Sequence, residues 1–385
     1  MDVSFDDLQF LKGVIGDRRL VQLGESGHGV AEFDSVKVRL VQFLHQQMGF
    51  DVIAFESGLY ECFRADERTG ELAADALMRQ CIFAVWHTEE TLPLFDYIKA
   101  TRGTGRPLIL AGFDTQFSTG EAYRGESSRP GELRGLLDVV DPALAQEAYA
   151  LDAELLRLVS LNRDTARAEI AGKVAAMTAG YEEIADLIDR EGGRLEGAFP
   201  SRPLFPQVMG QAMRMAPSLI RSLAGSASEY GAIRDEGMAD NITWLTRQLY
   251  PDRKILIWAH NYHIQHDATE LAPPSVNMGY HVARRHRDEL YTVGLFMYWG
   301  KAAWNDRSVY DVTPPATGSL EALLGRTSAP ASFVDLLGQS SSPGSAWMFQ
   351  QIPSKSWGSR DEMLTHRRQY DGILFVDEVH PPHYR

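Results

Sequence analysis

The chain has 385 residues, 44% hydrophobic and 23% charged, the make-up of a soluble globular protein with enough apolar material for a large core. Its 38 basic against 52 acidic side chains give a formal net charge of −14, the reverse of the basic footprint a nucleic-acid partner requires. No apolar run approaches the ~20 residues that span a bilayer. The acidic start Met1-Asp2-Val3-Ser4-Phe5-Asp6-Asp7 lacks the basic-then-apolar pattern of a secretory signal. Cys62 and Cys81 are too few for a disulfide framework and lack metal-ligand spacing, so a cytoplasmic protein is expected.

Leu20–Leu23 reads as a short buried strand running into Gly24-Glu25, followed at once by Ser26-Gly27-His28-Gly29. Val36, Leu40, Phe43, Leu44 and Met48 then recur at helical spacing, with Gly49 as the stop. A second strand at 52–55 runs into Glu56, a helix is expected over 91–102, and a third strand at 108–111 runs into Asp114. Strands alternating with helices predict a parallel sheet with right-handed crossovers.

From 131 to 190 the pattern is helical. Leu151, Leu155, Leu158 and Leu161 share one face; Ile170, Val174, Met177, Tyr181, Ile184 and Ile188 share another. Pro200, Pro203 and Pro206 punctuate the far end, and further helices are expected over 207–223 and 234–249, with Arg234-Asp235 opening the latter. Strands resume at Lys254–Trp258, running into His260-Asn261, and are expected at 290–298, 346–350 and 372–376, separated by Pro/Ser/Gly-rich loops at 311–319 and 338–345. The expected fold is α/β: one domain over 1–385, with a parallel-rich central sheet, helices on both faces, and a helical insertion at about 128–232 that helps cover the cleft.

In open α/β sheets the ligand crevice lies beyond the carboxyl ends of the strands. Four such ends carry Glu25, Glu56, Asp114 and His260, so one polar site assembled from distant segments is expected. An imidazole takes a proton from water near neutrality when a carboxylate orients its other ring nitrogen; His28 is flanked by glycines, and Glu25 and Glu56 are the carboxylates to do it. The same turn also reads as a helix-capping loop, but its spacing fits neither G-x-G-x-x-G nor a P-loop. His260 and His263, three apart, suit proton donation or oxyanion contact. No H-E-x-x-H or H-x-E…C-x-x-C spacing accompanies them, so neither metal nor cofactor is expected. Ser57-Gly58 is no nucleophile elbow, and neither cysteine has an adjacent histidine. Asp114 and Arg234 suit either the site or a structural ion pair. Trp86-His87-Thr88-Glu89 and the stretch 370–380 either line a pocket or pack.

Taken in order, these segments resemble the erythromycin esterase family. The resemblance rests on Gly24-Glu25-Ser26-Gly27-His28-Gly29 with Glu32-Phe33 and Lys37, Gly49-Phe50…Ala54-Phe55-Glu56, Ala111-Gly112-Phe113-Asp114, Arg234-Asp235…Met238-Ala239-Asp240-Asn241, Trp258-Ala259-His260-Asn261-Tyr262-His263, Gly318-Ser319-Leu320-Glu321 and Tyr370-Asp371-Gly372-Ile373-Leu374-Phe375-Val376-Asp377. It implies hydrolysis of a macrolide lactone by histidine-activated water without an acyl-enzyme. The base then falls on His28, with catalytic support from Glu25, Glu56, His260 and His263 and substrate contacts at Lys37, Asp114, Arg234 and Asn261. Lys37 stands where some members carry Arg, and a point charge does not replace a planar fork. Other members belong to succinoglycan biosynthesis or natural-product pathways. The expected function is therefore a metal-independent hydrolase cleaving an ester or lactone of a bulky, polyketide-like small molecule. The alternatives are a non-hydrolytic biosynthetic step (cyclisation, elimination or epimerisation) at the same His/Glu site, or a non-catalytic small-molecule binder.

Overall fold

The computed structural model describes residues 4–327 and 329–385, so the first three residues of the acidic start lie outside the described residues. The described residues form ten strands: β1 Leu20–Leu23, β2 Phe50–Gly58, β3 Ile109–Asp114, β4 Lys254–Trp258, β5 Leu290–Ala303, β6 Val309–Asp311, β7 Ala331–Asp335, β8 Ile352–Ser356, β9 Arg360–Leu364 and β10 Gly372–Val379. The main sheet runs β3-β2-β4-β1-β5-β10-β7, with β6 paired to the far end of β5. Within it every described pairing from β3 to β10 is parallel, and β7 and β6 run antiparallel to their neighbours; β8 and β9 form a separate antiparallel hairpin. The four strands ending in Glu25, Glu56, Asp114 and His260 are thus consecutive in the sheet, and their carboxyl ends share one edge.

Alternation along the strands feeds two cores. Val52, Ala54, Ile255 and Ile257 pack into one, with the helices of 129–244; Ile53, Phe55, Leu256 and Trp258 pack into the other, with helices Ala31–Met48 and Leu92–Thr101; helix Leu59–Glu67 contributes to both. Successive side chains of a strand point to opposite faces, so a central strand covered on both sides is apolar on both, with Gln22 of β1 a buried exception. The helix Ala31–Met48 stops where expected, at Gly49 in the left-handed conformation (φ 78°).

Between β3 and β4 the described residues contain no strand. Helices Arg129–Leu137, Pro142–Ser160, Val174–Arg190 and Phe205–Ala224 pack together, pinned inside by Arg129, which donates to both oxygens of Asp152 (3.0 and 2.6 Å), and by the Tyr181 hydroxyl, which donates to Asp152 at 2.8 Å.

The structure corrects several expectations. The helix carrying Arg234 and Asp235 starts earlier, at Ala227, where Ser226 and Glu229 form a capping box; a helical face extended past Arg234, but the cap fixes its start. The strand expected at 346–350 is a 3-10 helix, Ala346–Phe349, because a short apolar run does not by itself distinguish strand from helix. β6 to β9 were not anticipated; they are short and mostly half-exposed, with little apolar run to signal them. The two cysteines do pair: a bridge joins Cys62 to Cys81 across 19 positions, tying helix Leu59–Glu67 to helix Ala74–Cys81. No described helix is long and apolar enough to cross a membrane.

Candidate active site

The turn after β1 is dense with glycine because protein atoms press against it. A side chain at Gly24 would collide with the Asn261 amide, and one at Gly29 with the Ala303 main chain. Neither residue has positive φ, so close approach, not unusual backbone, is what requires glycine here. The turn swings Glu25 inward, fully buried, and leaves His28 at the cavity wall with 13% of its side chain exposed.

Glu25 is the hub of the first cluster. Its Oε1 accepts from His28 Nδ1 at 2.5 Å and from the Trp86 indole N–H at 2.8 Å; its Oε2 is ion-paired with Lys37. Burial pushes this carboxyl up, but Lys37 and His28 outweigh it and leave it below the ordinary value, hence ionised. Asp34, beside the pair, goes the other way: burial and the Glu25 charge raise it well above the carboxylate range, while its Oδ2 accepts from Thr88. One buried anion is therefore balanced by one buried cation. Lys37 lies 3.9 Å from the Trp258 ring centroid with no exposed surface. That corrects its expected substrate contact, since Lys37 reaches a ligand only through Glu25.

Glu56, at the end of β2, is the hub of the second. Its Oε1 lies 2.7 Å from the Arg234 guanidinium and 3.2 Å from His263 Nε2, and its Oε2 accepts the His260 backbone N–H at 3.0 Å. Burial raises this carboxyl, yet His263 and Arg234 prevail and hold it well below its usual range. Arg234 also grips Asp114 with a fork, Nε and Nη2 at 2.6–3.1 Å. Asp114 is buried and spent on Arg234 and the Gln116 N–H, so it positions Arg234 and does not face a ligand. His263 Nδ1 lies 2.5 Å from Asp235 Oδ1. Burial lowers this imidazole, but Asp235 and Glu56 together raise it above its ordinary 6.5 and so favour its protonated form. Its Nε2 is also 3.2 Å from Arg234; with His263 protonated, the contact with Glu56 is the attractive one.

His260 stands between the clusters, its ring centroid 5.0 Å from His28 and 6.5 Å from His263. Burial and the two flanking histidines hold it down at about 3, so it is neutral. Its Nδ1 accepts the Tyr262 N–H, which places the ring proton on Nε2, a buried donor without a protein partner. Trp357 stacks on it at 5.3 Å, carried by the β8–β9 turn, where Trp357 and Gly358 adopt left-handed φ of 56° and 61°. Asn261 is corrected as well. Its side chain donates to Leu295 O (2.8 Å) and accepts from Leu295 N (3.1 Å), lacing the loop to β5, and is not available to a substrate.

A cavity of about 510 Å³ opens in front of His28, Glu56, Arg234 and His263, inside the 300–1,000 Å³ range of small-molecule sites. Its remaining wall comes from residues the sequence did not flag: Phe83–Val85 beside Trp86, Gln116, Tyr230, Asn305 and Arg307. Asp34, Asp235 and Trp357 were missed likewise. Asp235, adjacent to Arg234 in a segment already under suspicion, had a signal; Trp357 had none. Among the described residues no three His, Cys, Asp or Glu side chains are disposed to hold a metal ion, and both hub carboxylates already face cations.

Buried acid–base pairs at the carboxyl edge of a parallel sheet, opening on a cavity of ligand size, define an enzyme that acts on small molecules. The chain belongs to the erythromycin esterase family, whose signature matches residues 45–379, and it is an esterase-type hydrolase. YbfO of Bacillus subtilis (strain 168), named as a candidate hydrolase, is 31% identical over 99% of this chain and 88% of its own length. The type I and type II erythromycin esterases of Escherichia coli are 26% and 22% identical, over 74% and 78% of this chain and 71% and 74% of their own. A Bacillus cereus protein of known structure superposes with a TM-score of 0.83 at 19% identity, covering 100% of this chain and 94% of that one. A mutant of the erythromycin esterase EreC in its open conformation gives 0.67 at 17%, covering 99% and 96%. Both likenesses concern the fold.

Proposed function

We propose that this protein hydrolyses an ester or lactone of a bulky, polyketide-like small molecule, using water activated at His28 and no metal. The observation that carries the reading is the His28–Glu25 pair: Nδ1 is locked on an ionised, buried carboxylate at 2.5 Å, which leaves Nε2 as the ring nitrogen available to the cavity. An imidazole so oriented is a general base. Nε2 takes a proton from water as its oxygen attacks the carbonyl carbon. Charge then develops on the carbonyl oxygen, opposite protonated His263 and Arg234, which need no reorganisation to receive it. Collapse breaks the acyl C–O bond, and the leaving alkoxide takes the proton from His28. One water is consumed, and an acid and an alcohol form.

Two supports keep the arrangement in place. Lys37 and the Trp86 indole hold Glu25 from behind, and Asp114 holds Arg234, so neither cluster depends on substrate for its geometry. Incubation with a panel of macrolides and simple esters, read by product mass, tests the proposal. Gain of one water is the expected result. A product of unchanged mass identifies proton-transfer chemistry such as epimerisation, and binding without turnover identifies a non-catalytic binder; either overturns it.

A further inference from the structure

A second cavity, about 280 Å³, lies among the helices beyond the site. Six apolar side chains, Phe117, Val159, Leu161, Ala166, Leu219 and Leu223, line it, together with the polar groups of Gln116, Tyr123, Arg163 and Tyr230. Gln116 and Tyr230 line this cavity and the 510 Å³ cavity alike, so the two adjoin across those side chains. The partition is built on both sides. Arg163, whose guanidinium donates to Ser226 O at 3.0 Å, stacks over the Tyr230 ring at 4.4 Å. Gln116 sits on a turn pinned by its N–H to Asp114, the residue that holds Arg234.

We infer that the side cavity is a specificity pocket for a compact apolar arm of the ester substrate, with Gln116 and Tyr230 as its threshold. The inference rests on the hydrolase reading above and adds to it the shape of the substrate. Volume sets the size of that arm. An apolar cavity of about 150 Å³ takes benzene, so 280 Å³ accommodates a phenylalkyl group or a medium-length alkyl chain. A whole macrocycle has no room there and must stay in the larger cavity. The arm is uncharged, because the one ionic side chain in the lining, Arg163, is already engaged at the rim.

Ala166 is almost fully buried in this wall, and Ala166→Phe places a ring in the space. With p-nitrophenyl acetate, hexanoate and 4-phenylbutyrate as substrates, wild-type kcat/KM should rise at least ten-fold from acetate to phenylbutyrate. Ala166→Phe should abolish that rise while changing acetate less than three-fold, and Leu223→Ala, which enlarges the pocket, should shift the preference to longer chains. Binding of 4-phenylbutyramide, which lacks an ester, is measured by calorimetry in parallel and should weaken at least ten-fold in Ala166→Phe. Turnover of acetate with no chain-length preference overturns the pocket and leaves the hydrolase reading intact. No turnover of any ester, with amide binding still sensitive to Ala166→Phe, removes the hydrolase reading and supports the pocket. Equal amide binding by wild type and a folded Ala166→Phe, or by wild type and Leu223→Ala if the first variant does not fold, overturns the inference.

Discussion

Replacing His28 by Ala separates chemistry from stability, because Glu25 does not lose its other partners. The carboxylate keeps the Lys37 ion pair and the Trp86 N–H at 2.8 Å, so no buried charge is orphaned. What disappears is one charge-assisted hydrogen bond, about 1.5–3 kcal/mol, and the edge contacts of a ring 13% exposed. At roughly 2 °C per kcal/mol for a chain this large, Tm should fall by only a few degrees. Loss of the general base should lower kcat by ~10²–10⁴, or about 2.7–5.5 kcal/mol of barrier. Lys37→Met is the contrasting perturbation. It strips the counter-ion from a fully buried carboxylate, a change that costs about 3–5 kcal/mol, so both Tm and activity should drop. Calorimetry and initial rates on the three proteins decide the matter. His28→Ala turning over within ten-fold of wild type would refute the assignment, and a fully stable, active Lys37→Met would refute the account of Glu25.

Protonated His263 predicts an alkaline limb in kcat/KM with its midpoint above 6.5; Asp235→Asn removes the largest influence raising it and should move that limb to lower pH in a pH–rate profile. Glu25 and Glu56 sit below the carboxylate value of about 4.5 when folded, so their stabilisation is complete above that pH and lost as pH falls through the folded values. Tm should therefore drop steeply in acid, and Glu56→Gln should be less stable at pH 7 and respond less to acid in a melting series. Exhaustive chelation should leave turnover unchanged, since Glu25 and Glu56 are committed to Lys37 and Arg234; loss of activity restored by added metal would contradict this. Reducing the Cys62–Cys81 bridge should lower Tm, as expected for a closed loop of about 20 residues, on the order of 3 kcal/mol. Thiol trapping in freshly lysed cells will show whether the pair forms in the reducing cytoplasm that the composition led us to expect.

The sequence by itself determined the sheet's central strands and the residue types at their ends, because both are local consequences of chain chemistry. A strand covered on two faces is almost wholly apolar, the buried Gln22 of β1 being an exception whose side-chain oxygen accepts from Thr292, and the next polar residue after it, Glu25, Glu56 or His260, is displayed at the sheet edge. The glycine-flanked His28 and the His260/His263 pair were legible in the same way, and motif resemblance added only the choice of His28 as the base. The role of each side chain was decided only by the tertiary structure. Lys37 and Asn261 read as substrate contacts, yet the fold places one behind Glu25 and spends the other on the β5 backbone. Asp235 and Trp357 reach the histidines from a helix and a hairpin turn; Trp357 has no local signature for that task, and Asp235 only its place beside Arg234. Burial also sets charge states that no local pattern encodes, raising Asp34 well above the carboxylate range and holding His260 neutral. Periodicity records which face of an element is apolar, but ionisation depends on which charges lie within a few ångströms, and those come from residues distant in the chain, as Arg234 lies 178 positions from Glu56 and His263 farther still.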